Sequence, residues 1–177
     1  MQRTRACPLS QLRMRCAGGG DSMAGPTVRV LLARQIDGLL ENRVRACLAA
    51  IADQPWAGTS SFFIGGSPML FGMGAEYPGE LAEYAGLAGQ LGWLPDDILS
   101  LAAMDKDQAD HQRLGQVALA LARHLEGVLA FGASIHAYTR DSGFLAGLAI
   151  IEHEGESIFS AADFAAWLGH RDFRLVK

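Results

Sequence analysis

Twice along the chain a short apolar run gives way to a helical stripe and then to another apolar run. No motif in the sequence restricts the possible folds as much. TVRVLLAR (27–34) reads as a strand, bounded upstream by Gly25-Pro26. QIDGLLENRVRACLAAIAD (35–53) follows, with Ile36, Leu39, Leu40, Val44, Leu48 and Ile51 at helical spacing, and SSFFIGG (60–66) reads as a second strand. The pattern returns in ILSLAAM (98–104), QADHQRLGQVALALARHLE (108–126) and VLAFGAS (128–134). In the second helix Leu114, Val117, Ala118, Leu121 and Leu125 share one stripe, and Gly127 stops it. Each unit has roughly the 30 residues that a strand–helix–strand crossover requires. Two such units predict the α+β class and a ferredoxin-like sandwich, with helices on one face of a mainly antiparallel sheet.

Between the units, SPMLFGMGAEYP (67–78) reads as irregular. GELAEYAGLAGQLGW (79–93) reads as a helical insertion, weakened by glycines that each cost about 1 kcal/mol relative to Ala. A polar loop, HAYTRDSG (136–143), leads to a strand/helix extension. In it, AIIEHEGESIF (149–159) reads as a strand or hairpin with Glu152, Glu154 and Glu156 on one solvent face, and AADFAAWLGH (161–170) as a short helix.

The first 22 residues differ from the rest: they hold four arginines against one aspartate, and two of the three cysteines. No continuous apolar centre follows the basic start, so a signal peptide is not expected. The expectation is a disordered basic extension over 1–22, arising from a mis-called translation start, ahead of one α+β domain over 23–177. Half of the 177 residues are hydrophobic and 19% are charged, which suits a packed core and argues against wholesale disorder. No apolar run is long enough to span a bilayer.

Residues 23–177 keep eleven of the 15 Lys and Arg and eighteen of the 19 Asp and Glu, a net charge of −7. A nucleic-acid surface needs clustered cations, so an acidic body points away from nucleic acid and towards one basic protein partner. Cys47 is the one cysteine left in that body, which excludes a disulfide within it and fits a reducing, cytoplasmic compartment.

The densest titratable group is MDKDQADH (104–111). It lacks the glycine and third ligand of a calcium loop, and His111 has too few His or Cys neighbours for zinc. The preferred reading makes Asp107 a helix N-cap, with Asp110 in the first turn. FFIGGSPMLFGMG (62–74) has glycines after a strand but no phosphate-loop lysine, so a turn exposing Met69, Leu70, Phe71 and Met73 is preferred. In EHEGE (152–156) one histidine cannot join both flanking glutamates, so a solvated edge strand is expected. Ser134 and Ser142 lack a nucleophile-elbow context, and Cys47 lies among apolar residues as an inert thiol. No catalytic set, metal site or cofactor site emerges.

Three stretches, MAGPTVRVLL (23–32), DHQRLGQVALALARHLEGVLAFG (110–132) and DFAAWLGHRDFRLVK (163–177), together resemble an uncharacterised family of small actinobacterial proteins. Its members often carry an aspartate in the fourth strand where this chain has Ala130, so no polar role is carried over there. Families of this size and layout are similar to cytoplasmic immunity proteins of polymorphic toxin systems. The resemblance implies a non-enzymatic protein-binding domain that neutralises a toxin domain, and transfers no catalytic residue. On this reading Glu76, Glu80 and Glu83 steer a basic partner, while Met69, Leu70 and Phe71 supply apolar anchors. The alternatives are a small acid/base enzyme using His111 or His136 with nearby carboxylates, and a scaffold that self-associates into a homo-oligomer.

Overall fold

The computed structural model describes residues 25–53, 60–105 and 107–176; the expected basic extension and Trp56 lie outside these described residues. Thr27–Leu32 forms strand β1, and Asp37 then caps helix α1 (Gly38–Ile51) by accepting from Leu40 N at 2.8 Å. β2 (Ser61–Ile64) and β3 (Ser67–Met73) form a tight hairpin. Its turn is possible because Gly65 and Gly66 both take positive φ, 57° and 79°. The insertion holds two short helices, α2 (Glu80–Glu83) and α3 (Ala88–Leu91), joined by a 3-10 turn. β4 (Asp97–Ala103), α4 (Gln108–Leu125) and β5 (Val128–Ala130) repeat the first unit. The chain ends in α5 (Ser142–Leu145), the hairpin β6 (Ile151–His153) and β7 (Glu156–Phe159), and α6 (Ala161–Leu168).

All seven strands join one antiparallel sheet in the order β2-β3-β4-β1-β5-β7-β6. The α+β sandwich expected from the sequence is therefore present. β4 lies antiparallel between β1 and β3, so those two run parallel, and β1 separates β4 from β5 in the same way. Two strand–helix–strand units are thus interleaved.

The structure departs from the sequence reading at 67–73, which is a strand and not an irregular turn. The strand that answers β1 across the first helix is therefore β3, and SFFI forms the sheet edge. The physical reason is alternation. Met69 and Phe71 (0 and 3% exposed) enter the core, while Pro68 and Leu70 point the other way and stay half-buried. The glycine-rich insertion also differs from a single helix. It breaks at Tyr84–Leu87, where a Cβ on Gly86 would sit 2.9 Å from the His153 ring.

Packing is two-sided. Val28, Val30, Leu32, Leu99, Leu101 and Leu129 face α1, α4 and α6 in the main core. Leu31, Ile98, Ala130 and Ile158 face the opposite way and are covered by Tyr84, Leu87 and Trp93 of the insertion region. The insertion therefore forms a partial third layer.

Candidate functional site

β1 carries one charged residue amid apolar ones, Arg29, and everything around it follows from that placement. Strand pairing sets Arg29 opposite Ser100 on β4 and Ala130 on β5, and Ser100 opposite Gly72 on β3. Cross-strand partners share a face, so this row lies on the side covered by the insertion. There Arg29 Nε meets Glu80 Oε1 at 3.2 Å, with the Glu80 side chain 1% and the Arg29 side chain 25% exposed. Glu80 Oε2 accepts from Glu76 N at 2.5 Å. Burial holds the Glu80 carboxyl above the usual carboxylate range, although the Glu76 amide and Arg29 pull the other way. Burial also pulls Arg29 down, but Tyr84, Glu80, Glu76 and Glu156 together outweigh it and raise the guanidinium.

Above this pair opens a cleft of about 200 Å³, lined by Arg29, Glu83, Tyr84, Gly132, His153, Glu154, Gly155 and Glu156. Its walls are held by specific bonds. Glu156 Oε2 accepts from Gly132 N at 2.9 Å, and Tyr84 also hydrogen-bonds Glu156. Burial first, then Glu156, raises the Tyr84 phenol above its ordinary value. His153 Nε2 lies 2.7 Å from the Glu83 carbonyl oxygen, which can only accept, so Nε2 carries the proton. The His153 ring stacks on Tyr84 with 6.3 Å between centroids. At the outer rim, Tyr77 donates to Glu83 Oε1 at 2.7 Å, and that bond pushes the phenol up to about 12.

The expected solvent face of Glu152, Glu154 and Glu156 is corrected by the hairpin. The segment is the hairpin of the two forms expected, but Glu154 and Gly155 take positive φ (46° and 88°) and reverse the chain, so the three glutamates do not share one face. His153 and Glu156 thereby become cross-strand partners on the cleft side. Glu152 pairs instead with Ser157, whose hydroxyl donates to it.

The residues expected to bind a partner are divided by the fold. Glu83 lines the cleft, half-buried Glu76 lies beside it, and Glu80 is buried beneath. Leu70 lies half-buried on the same sheet face, in the row with Ser61, Ala102 and Thr27. Met69 and Phe71 are core residues on the other face, so the expected exposure of these two does not hold. Phe63, paired with Pro68 on the Leu70 side, is 46% exposed.

The histidines weighed for acid/base work lie apart in their bonding. Asp107 caps α4 by accepting from Asp110 N at 2.7 Å, as the sequence suggested. Asp110 pairs with Arg113 at 3.0 Å. His111 is buried, and its Nδ1 accepts from Leu175 N at 2.8 Å, which ties the C-terminal segment to α4. His136 is exposed and lies 4.0 Å from Glu152. Glu152, and not the imidazole, touches the Ser157 hydroxyl, which is the reverse of a serine–histidine couple. Cys47 is half-buried, and burial raises its thiol, away from the reactive thiolate. Among the described residues no group of three or more His, Cys, Asp or Glu side chains is placed to hold a metal ion, and no helix is long and apolar enough to cross a membrane.

Arg29 escaped sequence reading, although a signal existed: a lone cation in the middle of an apolar strand demands a buried partner. A family model covers residues 24–177, a span that includes every described residue. The chain belongs to the family of unknown function DUF6368. No curated protein and no solved structure matches it.

Proposed function

We propose that this DUF6368 chain is a non-enzymatic protein-binding domain acting in the cytoplasm, and that it neutralises a basic toxin domain in the manner of an immunity protein. The observation that carries the reading is the second sheet face. Glu83, Glu154 and Glu156 gather around one cleft there, and a half-open apolar strip of Leu70, Ala102 and exposed Phe63 continues across the same sheet. Acidic side chains beside an apolar strip match how protein interfaces divide their work: charge steers the encounter, and apolar groups anchor it. Arg29, itself paired with Glu80, offsets part of the charge of the cleft and leaves its three glutamates in excess. The bonding of His111 supports the same reading, since its Nδ1 is committed to the chain terminus.

The test is co-purification from the native host with the tagged full chain, at low and at high salt. The expected result is one stoichiometric basic protein that is released as salt rises, because exposed charges are screened beyond about 8–10 Å at physiological ionic strength. Recovery of the chain alone, or of an acidic partner insensitive to salt, contradicts the proposal.

A further inference from the structure

The polar loop at 136–143 is tied to the turn that follows α6, and the two segments meet at one imidazole, His170. We infer that His170 is a proton-operated clasp between them. When neutral it holds the Asp172 amide; when protonated it releases that amide and binds the carboxylates of Asp141 and Asp172 instead.

The backbone sets the starting state. α6 ends at Leu168, and the chain then turns so that Asp172 N donates to His170 Nδ1 at 3.2 Å. An amide N–H can only donate, so Nδ1 is without a proton and the neutral ring carries its proton on Nε2. Nε2 faces the loop, 3.6 Å from Asp141 Oδ2. The Asp172 carboxylate is close as well: its Oδ2 lies 3.8 Å from Nδ1 and accepts from the Thr139 hydroxyl at 2.9 Å. The His170 side chain is 9% exposed and packs against Phe144 and Trp167, with ring centroids 4.2 and 5.4 Å away.

A second proton changes this arrangement at one atom. Nδ1 becomes a donor, so it opposes the Asp172 N–H and requires an acceptor. A small rotation brings the Asp172 carboxylate into range, and the released amide turns to water, because Asp172 is exposed. Nε2 keeps its proton and its place beside Asp141. Asp141 stays charged throughout: the Phe144 amide first, then His170 and Arg171, hold it below the usual carboxylate range against the effect of burial. The faces of Phe144 and Trp167 accommodate a cation within about 6 Å of their centroids. Two other cations stand on this corner. Arg171 reaches the same Asp141 oxygen at 3.8 Å but is 80% exposed, and Arg174 lies over the Tyr138 ring at 5.1 Å. Thr139 donates to Asp172 and accepts from Asp141 N at 3.2 Å, so the loop receives the change both there and at the Asp141 cap of α5.

The experiment is an NMR titration of the isotope-labelled full-length chain from about pH 8 to about pH 5, the span in which imidazoles change charge. The expected result is that neutral His170 shows a bare Nδ1 and a protonated Nε2, and that the Asp172 amide moves with the same midpoint as the His170 ring. Protection of that amide against exchange, relative to the intrinsic rate at each pH, should fall severalfold across the midpoint, and the Thr139 and Phe144 amides should follow it. Two variants separate the clasp from its surroundings. His136→Gln, at an exposed position in the same loop, should leave the Asp172 response unchanged. His170→Asn keeps an acceptor near the place of Nδ1 but takes no charge, so the Asp172 amide should stay protected at both ends of the titration. A proton on Nδ1 of the neutral ring overturns the inference, as does an Asp172 amide that ignores the His170 midpoint or tracks His136. If His170→Asn fails to fold, the titration of the parent chain still decides.

Discussion

At the scale of single residues, Arg29 and Glu80 illustrate how a buried charge constrains its surroundings. Removing one partner leaves the other uncompensated, and Arg29→Met should cost about 3 kcal/mol, the lower end for a broken buried pair, since the guanidinium keeps some solvent. Arg29→Met combined with Glu80→Leu should recover most of that loss in denaturant unfolding, because neither charge then remains. His111 makes a different kind of commitment. His111→Phe would leave the Leu175 N–H buried and unpaired, at a cost of about 1–3 kcal/mol, and hydrogen exchange at Leu175 should accelerate. Two carboxylates should report opposite pH signs. The Asp110 amide first, with other neighbours, lowers Asp107, so its stabilisation is present above the unfolded carboxylate pKa and is lost as pH falls through the folded value. Burial raises Glu80, so the stability linked to its proton is fully present below the unfolded pKa and is lost as pH rises through the folded value. Stability measured against pH for Asp107→Asn and Glu80→Gln should therefore diverge from the parent in opposite directions across the carboxylate range.

At the scale of elements, α4 organises one side of the sheet, and its single interior glycine sets how closely its neighbours approach. A Cβ on Gly115 would lie 2.7 Å from Leu168 of α6 and 2.7 Å from the Phe173 ring. Gly115→Ala gains about 1 kcal/mol of helix propensity but overpacks a filled core, which costs about 1–3 kcal/mol. Phe173 is 1% exposed and packs edge-on against Phe164 and Trp167, so it has little room to yield. The variant should melt at a lower temperature than the parent despite its better helix former.

The same elements show what sequence alone could reveal. α1 was legible from its 3.6-residue periodicity and α4 from periodicity together with its Asp107 cap, while the Asp37 cap of α1 came from the structure. β3 was not, because SPMLFGM holds proline and glycine and alternates apolar residues on both faces. The alternation of Met69 and Phe71 into the core is visible only once the hairpin turn is placed. The cleft was legible in part. Its glutamates were visible as charges, but their convergence depends on the Glu154–Gly155 reversal and on an insertion folded back across the sheet. No local pattern encodes either.

At the scale of the whole molecule, charge and layering act together. The helical side of the sheet is closed by α1, α4 and α6, while the other side is only partly covered by the insertion. The acidic cleft and the strip of Leu70, Ala102 and Phe63 both lie on that partly covered side. On the proposed reading recognition belongs to this partly covered side, where Glu83 and Glu154 are exposed and can change with little effect on the core. The most direct measurement is side-by-side co-purification from the native host with the full-length parent and a Glu83→Lys/Glu154→Lys variant of equal thermal stability. The account predicts that the parent retains a basic protein and that the charge-reversed variant loses it by tenfold or more. Equal retention by both would contradict the claim that this face of the sheet is where the partner binds.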